Sequence, residues 1–167
     1  MKTLVIIRHA KAKAAEDDKK DIDRKLKLRG KEDATYMAYL LSEYNIVPEL
    51  LISSPAKRAV KTAAIFAKKF DIPKSDILVS EFLYETDFGT EEIKNLLSES
   101  APDKDTVFVF GHNPMLIELI SSLTEKFNYH LPTSGTVIIE FSIEKWEELT
   151  ESKGTIKLFV YPEKKEK

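Results

Sequence analysis

Arg8 and His9 stand side by side at the end of Thr3-Leu-Val-Ile-Ile7, a run of apolar strand formers. A run of this kind bounded by charge reads as a buried parallel strand, and ligand sites in open α/β sheets lie beyond the carboxyl ends of such strands. Arg presents a fixed fork of donors that fits phosphate, and a neutral imidazole is a nucleophile or base near physiological pH. The pair therefore points to phosphoryl transfer. Arg58 and His112 occupy equivalent junctions further along the chain. Alone, each would read as a surface charge or a turn residue; the recurrence at three strand ends makes a pocket. Two guanidiniums, two imidazoles and the N–H groups of nearby helix N-termini would surround a dianionic phosphoryl group and stabilise it in the transition state. His9, oriented through one ring nitrogen, would attack phosphorus with the other and form a phosphohistidine that water then cleaves.

The elements that must position these residues are legible as strand–helix alternation. After the first strand, residues 11–27 are rich in Lys, Asp and Glu and read as an exposed excursion. Residues 31–44 carry Ala34, Met37, Ala38, Leu40 and Leu41 at helical spacing, and a strand follows over 49–53. Ser54-Pro55 predicts a helix start with Ser as N-cap and Pro in the first turn, which would hold Arg58 near a helix N-terminus. A short strand over 77–79, a helix over 90–98 and a buried strand over 106–111 come next. Asn113-Pro114 repeats the cap-plus-proline pattern, with His112 in the turn. Residues 136–143 and 155–161 predict a closing hairpin, followed by a charged tail.

Composition bounds the alternatives. A chain of 167 residues, 43% hydrophobic and 32% charged, predicts one domain over 1–167 with one sizeable core. A formal net charge of -2 gives no global reason for nucleic-acid or membrane binding. The absence of cysteine excludes disulfides and thiolate chemistry, and three histidines leave little for a metal cluster, so no metal and no cofactor are expected. The N-terminal apolar stretch is too short for a signal-peptide core or a membrane span, which gives a cytoplasmic expectation.

Arg8-His9-Ala10 resembles the signature tripeptide of the histidine phosphatase superfamily. Arg24-Lys-Leu-Lys-Leu-Arg-Gly30 resembles the Arg-Pro-Leu-Thr-x-x-Gly segment of its short bacterial SixA-type branch of phosphohistidine phosphatases. Ser53-Ser-Pro-Ala-Lys-Arg58-Ala59 with Thr62-Ala63, Gly111-His-Asn-Pro114 and Leu131-Pro-Thr-Ser-Gly135 are similar to three further blocks, in order along nearly the whole chain. The resemblance implies a three-layer α/β/α sandwich with a mostly parallel central sheet, phosphoglycerate mutase-like. It implies His9 as the phosphorylated nucleophile, Arg8 and Arg58 as phosphate clamps, and His112 with Asn113 in the phosphate pocket. Arg24 would be an additional phosphate contact. Lys25 and Lys27 depart from the branch's Pro and Thr, which loosens the loop and deprives the next helix of a side-chain cap. Ala10 replaces the glycine common in the wider superfamily.

Hydrolysis of an alkyl phosphate needs a proton for the leaving oxygen, and Glu81, Glu85 and Asp87 cluster where the superfamily often places an acid. Glu85 is the candidate. A phosphohistidine substrate lowers this requirement, because its imidazole can be protonated before departure. The segment between residues 80 and 106 has room for one short helix but not for a large lid, and an open pocket suits a phosphorylated protein, such as a phosphohistidine carrier. The expected activity is thus a metal-independent phosphohistidine phosphatase. The rival readings are a phosphatase of small phosphate esters, a mutase-like transferase, and a non-catalytic module that binds a phosphocarrier protein.

Overall fold

In the computed structural model, which describes residues 1–84, 87–151 and 153–163, six strands form one sheet in the order β3-β2-β4-β1-β5-β6. The strands are β1 (Lys2–Arg8), β2 (Leu50–Ser53), β3 (Leu78–Val79), β4 (Thr106–Gly111), β5 (Thr136–Phe141) and β6 (Thr155–Val160). β1 to β4 run parallel to their neighbours among themselves, β5 is antiparallel to β1, and β6 closes the expected hairpin. Four helices, α1 (Leu28–Glu43), α2 (Lys57–Lys69), α3 (Thr90–Ser100) and α4 (Met115–Leu123), complete the three-layer α/β architecture.

The unbroken apolar run of β1 follows from its place in the middle of the sheet. Leu4, Val5, Ile6 and Ile7 are fully buried because side chains on both faces meet helices. Leu4 and Ile6 join Val107 and Val109 under α3 and α4, where Ile93, Leu97, Leu116, Leu119 and Leu123 supply the opposing surface. Val5 and Ile7 point the other way with Phe108 and Phe110, against Met37, Ala38 and Leu41 of α1 and Phe66 of α2. Each such side chain contributes about 1.5–3 kcal/mol on burial, so this sandwich can carry the cost of a polar edge.

Register brings that edge together. Arg8 lies opposite Gly111, Ser53 opposite Phe110, and Ile7 opposite Thr136, so the carboxyl ends of β1, β2 and β4 and the start of β5 are level. The excursion over 11–27 leaves from the same edge. Its base is closed by Lys13 N–H to Lys25 O at 2.8 Å and Lys27 N–H to Lys11 O at 2.9 Å. Gly30 packs α1 directly on the Lys11 backbone, leaving no room for a Cβ there.

The helix starts differ from the sequence reading, and for one reason. α2 begins at Lys57, behind Ala56, and α4 begins at Met115, behind a cis Asn113–Pro114 peptide bond. Neither Ser54 nor Asn113 is the N-cap, because both side chains are engaged at the sheet edge. α1 starts a turn earlier than its apolar pattern suggests, with Lys27 at the N-cap and no side-chain cap bond.

Candidate active site

His9 follows the last residue of β1 and is 7% exposed. Its Nδ1 lies 2.8 Å from the carbonyl oxygen of Ala10. A carbonyl can only accept, so Nδ1 carries the proton and Nε2 keeps its lone pair. The ring is held in place from behind: Ala10 N–H donates to Thr62 Oγ1 at 2.9 Å, and the same hydroxyl donates to Arg58 O at 2.7 Å, tying the turn after β1 to α2. Ser134, in the left-handed region at φ 60°, donates its N–H to the carbonyls of both Arg8 and His9 at 3.1 Å.

Burial, followed by the charges of His112, Arg58 and Arg8, pushes the His9 pKa down to about 3, against a smaller upward pull from the Ala10 carbonyl. Its imidazole is therefore neutral throughout the physiological range, as a nucleophile must be. His112 sits beside it, with ring centroids 5.2 Å apart. Burial and then Arg58 hold His112 down to about 4, with Asp21 opposing them. Its Nε2 is 2.6 Å from Ser54 Oγ, which also accepts from Ala56 N–H at 3.2 Å. The Ser54 hydroxyl proton is then free to point at Nε2, which leaves the proton of the neutral His112 ring on Nδ1.

Arg8 donates through Nη1 to Leu131 O at 3.1 Å, and Asn113 Nδ2 donates to the same carbonyl at 2.8 Å. Arg58, 6% exposed, is gripped along its outer edge by Asp21: Nη1 donates to the main-chain oxygen at 2.8 Å and Nη2 to Oδ2 at 3.0 Å. Tyr84 Oη donates to Oδ2 at 2.7 Å, and Arg24 Nη1 to Oδ1 at 3.2 Å. The Tyr84 bond, then Arg24 and Arg58, hold the Asp21 carboxyl down to about 2 despite partial burial, and Tyr84 in return is raised by that carboxylate. Tyr84 also stands edge-on to His112, at a centroid distance of 5.6 Å.

Five buried side-chain atoms lack a hydrogen-bond partner among the described residues: Arg8 Nε, Arg58 Nε, His112 Nδ1, Asn113 Oδ1 and Ser134 Oγ. All five belong to this cluster. Buried polar atoms in folded proteins are overwhelmingly paired, so a cluster of orphans marks a place for a ligand or water. Four of the five can donate; Asn113 Oδ1 alone can only accept and needs a donor of its own. The set suits an oxyanion far better than a metal ion, which would face two guanidiniums.

The structure thus brings Arg8, His9, Arg58, His112 and Asn113 together. Arg24 reaches the cluster only through Asp21, its Nε being spent on Lys13 O at 2.8 Å. Glu85 lies outside the described residues. Glu81 and Asp87 are exposed and make no bond into the cluster among the described residues. Asp21, Tyr84, Ser54, Thr62 and Ser134 are additions from the fold. Of these, Ser54, Thr62 and Ser134 stand inside the quoted sequence blocks, whereas Asp21 and Tyr84 carried no sequence signal beyond a position near Arg24 and Glu85.

Several solved structures share this fold. A candidate phosphohistidine phosphatase SixA from Nakamurella multipartitia superposes with TM-score 0.80 at 22% identity, over 96% of each chain. The protein histidine phosphatase SixA complexed with tungstate gives 0.74 at 21%, covering 95% of this chain and 96% of that one. A mycobacterial glucosyl-3-phosphoglycerate phosphatase gives 0.71 at 15%, covering 93% and 98%. A chloroplastic protein of Arabidopsis thaliana is 28% identical over 151 residues, 87% of this chain and 69% of that one. The sequence profile of the histidine phosphatase superfamily, branch 1, matches residues 4–106, and the chain belongs to that superfamily.

Proposed function

We propose that this chain is a phosphatase that works through a covalent phosphohistidine on His9, needs no metal, and takes phosphohistidine on a protein as its substrate. The observation that carries the reading is the neutral, tautomer-fixed His9 beside a set of orphaned buried donors. The phosphoryl oxygens would complete the hydrogen bonding of Arg8 Nε, Arg58 Nε and His112 Nδ1, and their charge would offset the Arg8 guanidinium, whose side-chain bond is to a neutral carbonyl.

In the first step the His9 Nε2 lone pair attacks phosphorus in line, and the bond from phosphorus to the leaving nitrogen breaks with its electron pair. A leaving imidazole that arrives protonated departs neutral, and no proton from the enzyme is required. Water then attacks the phosphorylated His9. The P–N bond returns its electrons to Nε2, inorganic phosphate leaves with the oxygen of the water, and Nδ1 keeps its proton, donated to Ala10 O, throughout. Asp21, ionised and held by three side chains, keeps Arg58 oriented and has no proton to give.

Two features favour a protein substrate. Only a short 3-10 turn and α3 are described between β3 and β4, so nothing of lid size stands over this edge among the described residues. The SixA-type structures of the same fold carry names for protein phosphohistidine chemistry, and one was solved with tungstate, a tetrahedral oxyanion.

The test is phosphate release from a chemically phosphorylated phosphohistidine protein in excess chelator, with a quenched sample probed for acid-labile phosphate on His9. Full turnover by His9→Ala would overturn the mechanism. A kcat/KM higher for small phosphate esters than for the phosphoprotein would transfer the assignment to the ester phosphatase reading.

A further inference from the structure

Outside the cradle, a groove of about 520 Å³ lies along α2, floored by Leu26, Ile65, Ile72 and two alanines. Every charged residue that lines it is a lysine: Lys31, Lys61, Lys68 and Lys74. All four are exposed, and among the described residues none makes an ion pair. Solvated protein surfaces intersperse the two signs of charge. Here, in a chain of net charge -2, four unpaired cations rim an apolar trough.

The helix that lines the trough also carries Arg58 at its start. Lys57, Lys61, Ala64 and Lys68 recur every three or four residues, which places them on one stripe of α2 roughly 17 Å long at 1.5 Å per residue. Lys57, the first of them, adjoins Arg58 in sequence. It also lines a polar cleft of about 380 Å³ beside the excursion, where Lys13, Lys19, Arg24 and Lys25 are mixed with Glu16 and Asp23, and it pairs with Asp23 at 3.5 Å. Lys25 in that cleft is followed directly by Leu26 in the groove floor. The lysine stripe therefore runs from a cleft of mixed charge beside Arg58 to the groove, where the lysines are unpaired among the described residues.

We propose that this groove docks an acidic amphipathic helix of the phosphoprotein substrate, a partner surface that rests on the protein-substrate reading above. An apolar stripe at i, i+4 and i+7 would enter the trough, and flanking Asp and Glu side chains would meet the lysines. Charge complementarity of this kind accelerates encounter and fixes orientation, and it presents the phosphorylated side chain to His9 from the Lys57 end. A stretch of about 11 residues, three helical turns, matches the lysine stripe.

The experiment titrates the full chain, isotopically labelled, with a 14-residue peptide of Leu at i, i+4, i+7 and i+11 flanked by Glu. A scrambled peptide and phosphatidylserine vesicles serve as the other arms. Amide shifts confined to residues 26–31 and 61–74 are expected from the first peptide alone, with at least tenfold weaker binding in a Lys61→Glu, Lys68→Glu double variant. Excess peptide should raise KM for a phosphohistidine protein several-fold and leave p-nitrophenyl phosphate turnover unchanged. No binding, binding elsewhere, equal binding by the double variant, or binding of vesicles in place of peptide each overturns the proposal. Peptide bound in the groove by a chain that releases nothing from the phosphoprotein would retain the docking surface and remove the substrate reading instead.

Discussion

The two site histidines, His9 buried and His112 partly so, make the fold acid-sensitive by an amount that can be worked out. His9 and His112 are held to about 3 and about 4 in the folded protein, whereas unfolded histidine titrates near 6.5. As pH falls below 6.5 the unfolded chain takes up protons that the folded chain refuses, so the stability present above 6.5 is lost progressively towards the folded values. Each histidine then costs about 1.4 kcal/mol per pH unit, or roughly 2 kcal/mol between pH 7 and pH 5. The pair sums to about 4 kcal/mol as an upper figure, because part of the His9 displacement is the charge of His112 itself.

Urea unfolding of the wild type, His9→Gln and His112→Gln at pH 7, 6 and 5 measures this directly. Each variant should lose roughly 2 kcal/mol less than wild type over that range, through the removal of one refused proton. Equal losses in all three proteins would refute the reasoning, whatever their absolute stabilities. An oxyanion must reverse the effect, since a dianion beside the rings favours their charged forms. Phosphate or vanadate should therefore stabilise the protein more at pH 5.5 than at pH 7.5. Its binding should also be accompanied by proton uptake, read as a buffer-dependent heat in titration calorimetry.

Two further outcomes concern the turn behind His9 and the source of the leaving-group proton. Thr62→Val keeps the shape of the side chain but leaves the buried Ala10 N–H without its acceptor; it should cost about 1–3 kcal/mol in denaturant unfolding and lower kcat more than it raises KM, because the turn holding His9 loosens. Glu85→Gln separates the leaving groups: if Glu85 supplies the acid, turnover of p-nitrobenzyl phosphate or another alkyl ester should fall about 10²–10⁴-fold while phosphohistidine turnover stays within a few-fold, and equal losses on both substrates would exclude that role.

The sheet edge was legible because an interior parallel strand has a strong one-dimensional signature: four fully buried residues in a row, then Arg8 and His9. Arg58 and His112 could be placed by the same pattern at β2 and β4. What the chain does not show is which polar atoms those residues meet. Ser54-Pro55 has the local form of a helix start, yet the Ser54 hydroxyl is taken by His112, 58 residues away. Asn113 likewise turns its Nδ2 to Leu131 O, an orientation in which Oδ1, the atom that could cap, makes no hydrogen bond to α4. Local propensity proposes a cap worth about 1 kcal/mol, and a buried tertiary partner outbids it. Asp21 was hidden for a related reason. Inside a run of alternating charges it looks like solvated loop, and its bonds to Arg58 and Tyr84 span 37 and 63 residues.

Those long-range bonds decide how the cradle tolerates its own positive charge. Two guanidiniums with buried, orphaned Nε atoms, next to two imidazoles, are an arrangement in which like charge accumulates, and the histidines answer by remaining neutral. Arginine has no such escape, so Arg58 needs an anion at all times. Asp21 supplies it on the outer edge, through Nη1 and Nη2, and leaves Nε available for substrate. Arg8 uses a neutral carbonyl, Leu131 O, in the same manner. These partners thus occupy the terminal nitrogens and spare the inner ones. The excursion over 11–27, which reads as a solvated linker, therefore carries the counter-charge that keeps the second clamp in place. Its docking of Asp21 on Arg58 and Tyr84 makes the loop part of the phosphate site without any of its own side chains needing to touch the phosphoryl group.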